Sequence, residues 1–285
     1  MSDGGPSKAV LITGCSTGIG RATAERLARR GWPVYATARR LESIAELEGE
    51  GCRILALDVT DEDSMQAAVR TVEEEQGAVG VLVNNAGYSQ SGAVETIPPA
   101  ELRRQFETNV FGLVRMCQLV LPGMRRQHYG RIVNISSMGG RLTFPGGGAY
   151  HATKYSVEAL SDVLRFEVSG FGVDVTVIEP GLIRTEFGET AAGSVGDAAQ
   201  DGAYAGFNTA VAATTANAYS GPMARLGAGP EAVARTIERA ISRRHPRTRY
   251  AVTNSARLML GLHAVLPDRA WDRVVGSAYP RPRGD

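Results

Sequence analysis

Residues 9–20 read AVLITGCSTGIG. An apolar run suited to a buried strand passes straight into a loop with glycines at 14, 18 and 20, and from Ile19 to about Arg30 the apolar spacing becomes helical. Gly14 suits the tight turn, while Gly18 and Gly20 let main-chain amides close on a ligand. At that helix start, unpaired N–H groups and the helix dipole favour an anion such as a pyrophosphate. Glycine is common in any strand-to-helix turn, so the position after a first strand is what gives the motif its weight. The expected cradle is Gly14, Ser16, Thr17, Gly18, Ile19 and Gly20.

The same rhythm continues along the chain. VYATA (34–38), RILALDV (53–59), GVLVNNAG (80–87), RIVNISS (131–137), VDVTVIEPG (173–181) and RYAV (249–252) read as further strands. Helical periods lie between them: around 41–48, from a Thr60/Asp63 capping box to about Gln76, over 99–124, from Tyr150 to about Ser169, and a last one over 230–243. Apolar strands separated by helices predict an α/β fold, a doubly wound parallel (Rossmann) sheet of about seven strands, as a single domain over 1–285. Two segments fall outside the rhythm. Residues 186–228, rich in Ala, Gly, Thr and Ser, read as a substrate-binding lid or loop. Residues 254–279 form a C-terminal extension that either packs back on the domain or lines a substrate mouth.

Composition narrows the partners. The chain has 285 residues, 43% hydrophobic and 21% charged, ample for a core, and a net charge of +1 offers no field for nucleic acid or anionic membranes. Cys15, Cys52 and Cys117 are odd in number and lack metal-ligand spacing, so free thiols in a reducing compartment and no metal site are expected. MSDGGPSKAV at the start is no secretion signal, and no apolar run reaches the roughly 18 residues of a membrane span. The expectation is a soluble cytoplasmic protein without membrane or nucleic-acid partners.

The second strand ends in ATARR, with no acid before Glu42. A carboxylate there would grip the ribose diol of NAD, whereas Arg39 or Arg40 could pair with a 2′-phosphate, so NADP is expected over NAD. Asp58 and Val59 close the third strand, where Asp58 either meets an adenine amino group or caps a turn.

In YHATK (150–154), Tyr150 and Lys154 share a helix face. A tyrosine needs a downward pKa shift of roughly 2–3 units, about 3–4 kcal/mol, to act at neutral pH. A cation about 4 Å away at a partly screened site supplies on the order of 4 kcal/mol, so Lys154, helped by the positive charge of an oxidised nicotinamide ring, is of the right size. Ser137, at the end of the fifth strand, is positioned to donate a hydrogen bond to a substrate oxygen, and Asn109 is a poor helix former inside a long helix. His151 points off the shared face.

Taken in order, TGCSTGIG, NNAG, Asn109, ISS, YHATK and the PG at 180–181 resemble the short-chain dehydrogenase/reductase family over about residues 8–185, and most of all its hydroxysteroid/retinol dehydrogenase-like branch. The resemblance implies a tetrad of Asn109, Ser137, Tyr150 and Lys154. Lys154 would grip the nicotinamide ribose, and Asn109 would hold a relay water. Asn85, Ala86 and Gly87 would line the cofactor trough with Tyr150 and Lys154, and Pro180, Gly181, Ile183 and Thr185 would border the nicotinamide. It also implies a homodimer or homotetramer built through helices 99–124 and 150–169. Hydride would pass between the nicotinamide and a carbon bearing oxygen, with Ser137 stabilising that oxygen and Tyr150 giving or taking its proton.

The segment 186–228 has few charges (Glu186, Glu189, Asp197, Asp201 and Arg225), and Phe187, Tyr204, Phe207, Tyr219 and Met223 could furnish an apolar wall. That favours a ketone or secondary alcohol of hydrophobic or mixed polarity. A 3-oxoacyl-thioester reductase is the alternative enzyme, with Arg125, Arg126 and Arg141 as candidates for a carrier surface. A non-catalytic NADP(H)-binding regulator is the other, although it has no reason to keep Ser, Tyr and Lys together.

Overall fold

Val10 and Ile12 point to one side of β1 (Val10–Ile12) and Leu11 to the other, and all three are fully buried. A strand buried on both faces needs a helical layer on each, and the computed structural model, which describes residues 5–195 and 202–282, supplies both. Helix α1 (Gly18–Arg29) leads to β2 (Val34–Ala38), and the short α2 (Glu46–Gly49) to the edge strand β3 (Arg53–Ala56). After α3 (Glu62–Gln76) and β4 (Val81–Asn84), α4 (Pro99–Phe106) continues through a π-helical turn (Glu107–Phe111) into α5 (Gly112–Arg126). Then come β5 (Gly130–Ile135), α6 (Gly148–Val168) and β6 (Val173–Glu179). Helices α7 (Phe187–Gly193), α8 (Ala205–Ser220) and α9 (Pro230–Ser242) precede β7 (Arg249–Ala251), and α10 (Asn254–Val265) and α11 (Asp268–Gly276) follow it.

The strands form one all-parallel sheet in the order β3-β2-β1-β4-β5-β6-β7. Leu27 of α1 and Ile237 of α9 pack on Val10 and Ile12. Val72 of α3, Met116 and Val120 of α5 and Val157 of α6 pack on Leu11 and Leu82. This is the doubly wound α/β fold. Strand order reverses between β1 and β4, where Ile12 pairs with Val83, so the loops after these strands leave side by side and open a crevice.

Several local expectations are corrected. The helix after β3 begins later than the Thr60/Asp63 box. Asp61 is its N-cap, accepting from the Ser64 amide at 3.0 Å, while Thr60 donates its amide and hydroxyl to Asp58. Helix 230–243 is not the last, since α10 and α11 follow. The segment 186–228 is largely helical in its described part, and Asp197 and Asp201 lie outside the described residues. Helix α8 was illegible because AGFNTAVAATTANAYS mixes small apolar and polar residues all round, leaving no stripe.

Candidate active site

The glycine loop takes its shape from backbone angles few other residues adopt, with φ of +73° at Gly14 and +58° at Gly18. Thr17, the N-cap of α1, makes no capping bond, and the first turn carries no acid, so the helix start is open to an anion. Gly20 plays a different part from the one expected. It does not line the cleft, and a Cβ there would collide with the Gly14 carbonyl and the Asn85 amide, so its lack of a side chain seats α1 against the loop. Thr13 ties the two loops together, its hydroxyl accepting from the amides of Asn85 and Ala86 at 3.0 Å each. Asn85 returns Nδ2 to the carbonyls of Thr13 (2.9 Å) and Gly14 (2.8 Å).

Above the β1/β4 junction lies a cavity of about 1120 Å³. Gly14, Ser16, Thr17, Gly18, Ile19, Arg39, Asp58, Val59, Asn85, Ala86 and Gly87 line one end. The structure separates the two arginines. Arg39 is exposed at the cleft and makes no hydrogen bond or ion pair among the described residues, whereas Arg40 lies off the cleft and accepts from Ser43 through its carbonyl. Asp58 borders the cleft, and its Oδ1 accepts from the Thr60 amide (2.9 Å) and hydroxyl (2.7 Å), so it caps that turn.

Ser137, Tyr150 and Lys154 meet in the same cavity. Strand β5 stops at Ile135, which leaves Ser137 in the turn beyond it, its Oγ accepting from the Gly139 amide at 3.0 Å. Tyr150 sits in the first turn of α6 with its ring 5.5 Å from that of Phe187. Lys154 Nζ lies 5.7 Å from the Tyr150 ring centroid and donates to the Ile135 carbonyl at 2.8 Å. Asn109, in the π-helical turn, does not line the cavity. Its Nδ2 donates to the Tyr88 carbonyl (2.8 Å) and the Thr153 hydroxyl (3.1 Å), and its Oδ1 accepts from the Tyr88 amide (3.1 Å), so the side chain ties the loop after β4 to α6.

Burial dominates the electrostatics of the site. Burial, with Tyr219 nearby, pushes the Tyr150 phenol above its ordinary range, against a smaller pull from the Ser137 hydroxyl. In the protein alone, burial outweighs the neighbouring charges at this phenol. Lys154 is pushed down to about 8 by burial, with Glu158 opposing. Burial also takes His151 down to about 4. Its ring is wedged against Gly139 and Gly147, where a Cβ would strike it, and its Nδ1 accepts from the Phe144 amide at 3.4 Å.

Pro180, Gly181, Ile183 and Thr185 border the cavity where the chain leaves β6. Thr253 and Ser255 crowd Gly181, and Thr185 stands 3.2 Å from where a Gly18 Cβ would lie. Of the five expected wall residues, Phe187 and Tyr219 line the cavity. Tyr204 and Phe207 do not: Tyr204 donates to Glu95, and the Phe207 ring packs on Tyr279. The Met223 side chain lies outside the described ones. Sequence reading missed Phe144, Met259, Val274, Val275 and Tyr279, which complete the mouth from the loop before α6 and from the C-terminal tail. For all but Phe144 the one signal was the apolar composition of the tail. Among the described residues no group of three or more His, Cys, Asp or Glu could hold a metal, and burial raises the Cys15 and Cys117 thiols to about 12.

The short chain dehydrogenase family profile matches residues 8–194, more than half of the chain. The protein is a short-chain dehydrogenase/reductase. It is similar to the 3-ketodihydrosphingosine reductase of Bacteroides thetaiotaomicron, 42% identical over 179 residues that cover 62% of this chain and 65% of that one. The NADPH-dependent 3-dehydrocapnine reductase of Ornithobacterium rhinotracheale is 32% identical, covering 93% of this chain and 94% of its own. A short-chain dehydrogenase of known structure from Streptomyces avermitilis superposes with a TM-score of 0.79 at 35% identity, covering 96% of both chains. As a member of this family, the short-chain dehydrogenase/reductase described here is an oxidoreductase acting on CH–OH/C=O groups with a nicotinamide cofactor. No helix among its described residues is long and apolar enough to cross a membrane.

Proposed function

We propose that the enzyme interconverts a ketone and a secondary alcohol on a small molecule of hydrophobic or mixed polarity, with NADP(H) as the carrier. The observation that carries this reading is the meeting of Ser137, Tyr150 and Lys154 in one cavity with the glycine loop. The residues present fit a dinucleotide. Gly14 and Gly18 hold the loop open, the uncapped start of α1 faces it, and Arg39 waits unpaired at the rim for a 2′-phosphate. The name of the Ornithobacterium relative also favours NADPH, and the names of both curated relatives favour ketone reduction.

When bound, the nicotinamide supplies or accepts the hydride. The protein's part is proton and charge. Ser137 donates to the substrate oxygen, and Tyr150 delivers a proton to that oxygen as it becomes alkoxide-like. A phenol whose pKa is raised by burial keeps its proton at neutral pH, which suits a donor in reduction. Lys154 holds the ribose and keeps a positive charge beside the ring. Asn109 is a positioning residue that fixes the Tyr88 and Thr153 ends of the site.

Residues 1–285 act as a single domain, in which α7, α8 and the tail helices form a lid and mouth over the substrate end. The apolar side chains there, Phe187, Tyr219, Met259 and Val275 among them, favour an aliphatic or aromatic body over a multiply charged one. A carrier-bound thioester is less favoured, because Arg125 lies over Phe171, Arg126 pairs with Glu73 and Arg141 with Glu179, leaving none of the three unengaged. A turnover-free regulator has no use for the three catalytic groups together.

Following NADPH absorbance against a panel of ketones tests the reading, with Tyr150→Phe as the decisive variant. It should lose at least about a thousandfold in kcat, within the range of general acid catalysis, while the Kd for NADPH changes little. Turnover close to wild type would remove Tyr150 from the chemistry.

A further inference from the structure

Helix α8 has no apolar stripe, yet specific contacts fix which of its faces turns inward. Asn208, in its first turn, is 0% exposed. Its Oδ1 accepts from the Ala93 amide at 2.8 Å, and its Nδ2 donates to the Thr96 hydroxyl at 3.3 Å. Ala93 stands 115 residues earlier, in the segment that leaves β4. Gly92 beside it takes a φ of +136°, which favours glycine, and donates its amide to the Gly146 carbonyl at 2.8 Å. Gly146 in turn lies against Val211, whose methyls a Cβ there would strike. Asn208 and Val211, three residues apart, therefore seat α8 on two loops that are bonded to each other, one after β4 and one before α6. Two more bonds from the first loop reach the end of α7: Gln90 Nε2 donates to the Ser194 carbonyl at 2.6 Å, and the Ser91 amide to Ser194 Oγ at 2.8 Å.

This junction decides what meets the substrate. From Asn208 and Val211 the same helical face runs on through Thr214 and Thr215 to Ala218 and Tyr219, and these last four line the cavity. At the far end the Tyr219 ring lies against Gly188 of α7, next to Phe187, whose ring is 5.5 Å from that of Tyr150. Across the cavity, the loop held by Asn208 contributes Ser89 and Ser91. We propose that Asn208 is a positioning residue for the ketone: by clamping the start of α8 to the Ala93 amide and the Thr96 hydroxyl, it holds Thr214, Thr215 and Tyr219 at the separation from Tyr150 that the substrate body fills. The inference rests on the proposed function, in which that space takes the substrate. Asn208 does not itself line the cavity, and the groups expected to meet the dinucleotide belong to other elements, so its effect falls on ketone binding rather than on cofactor or chemistry. The buried Ala93 amide gives the clamp its strength, because an amide left without an acceptor there is costly. The nearby bond from Tyr204 to Glu95 lies at the surface, where water competes for both groups.

Asn208→Leu fills the same space and makes neither bond. The KM for the ketone should rise at least about tenfold, with kcat held within about threefold and the Kd for NADPH within about twofold. Asn208→Asp keeps an acceptor for the Ala93 amide and should bring the KM back to within about threefold of wild type. Hydrogen exchange read by NMR supplies a measurement that needs no substrate. The Ala93 amide and the amides of α8 should exchange at least about tenfold faster in Asn208→Leu, and near the wild-type rate in Asn208→Asp. Should Asn208→Leu fail to fold, Thr96→Val removes the acceptor of Nδ2 from the loop side and should raise the KM about threefold with the same sparing of kcat and cofactor. An unchanged KM in Asn208→Leu, an Asp variant no better than the Leu one, or equal losses in KM, kcat and cofactor binding overturns the proposal. If the wild type reduces no ketone, the functional reading fails, and the exchange rates still decide whether Asn208 clamps α8: rates unmoved by Asn208→Leu would refute it.

Discussion

Arg39 and Arg40 are neighbours in sequence, yet only Arg39 reaches the cavity, because the strand leaving the sheet turns after Ala38 and carries Arg40 away. An unpaired guanidinium at that rim should discriminate in favour of a 2′-phosphate through charge-assisted, fork-shaped hydrogen bonding. In Arg39→Asp the ratio of kcat/KM for NADPH over NADH should fall at least about tenfold, and more if the new carboxylate also repels the phosphate. Arg40→Ala should leave the ratio within about twofold, which kinetics with both cofactors will measure. Single residues were legible wherever one local rule was enough. Gly14 and Gly18 follow from backbone angle, and Tyr150 and Lys154 from helical spacing. Gly20 was misread because what crowds it, the Gly14 carbonyl and the Asn85 amide, is brought there by the fold, and the partners of Asn109, Tyr88 and Thr153, likewise come from other elements.

Among elements, the strands and the helices between them announced themselves by period, whereas the pieces that shape the substrate end did not. Helix α8 has no apolar stripe, and α10 spreads its leucines around the cylinder. Helix α11 is fixed by one anchor, Trp271, which is 4% exposed and donates Nε1 to the Thr143 carbonyl at 3.3 Å. Its ring packs 6.1 Å from Phe144, a cavity residue, and edge-on to His263 at 4.9 Å. Truncating a buried tryptophan costs about 3–5 kcal/mol, and here the loss falls on the tail rather than on the sheet. Trp271→Ala should raise the KM for the ketone at least about tenfold while the Kd for NADPH stays within about twofold. Equal losses in both would place the tail's role in the whole fold instead.

Across the whole molecule, one surface is out of keeping with a free-standing chain. Leu160, Val163 and Phe166 of α6 stand 40%, 58% and 85% exposed, and Phe111 of the adjoining π-helical turn stands 55% exposed. Two neighbouring helices thus present a shared apolar face, more than scattered surface hydrophobics would give. We expect a second copy of the chain to cover it. Phe166→Glu should convert an oligomer into a monomer, as read by sedimentation or light scattering. A wild type that is already monomeric at working concentration would leave this face to another purpose.

The order of parts along the chain has a consequence of its own. The groups expected to hold the dinucleotide and supply the proton lie mostly before residue 155, and apart from Phe144 the apolar side chains named at the substrate end come after residue 180. Exchanging the final third would therefore alter the apolar mouth while leaving the glycine loop, Ser137, Tyr150 and Lys154 in place: a division of labour written end to end in one polypeptide.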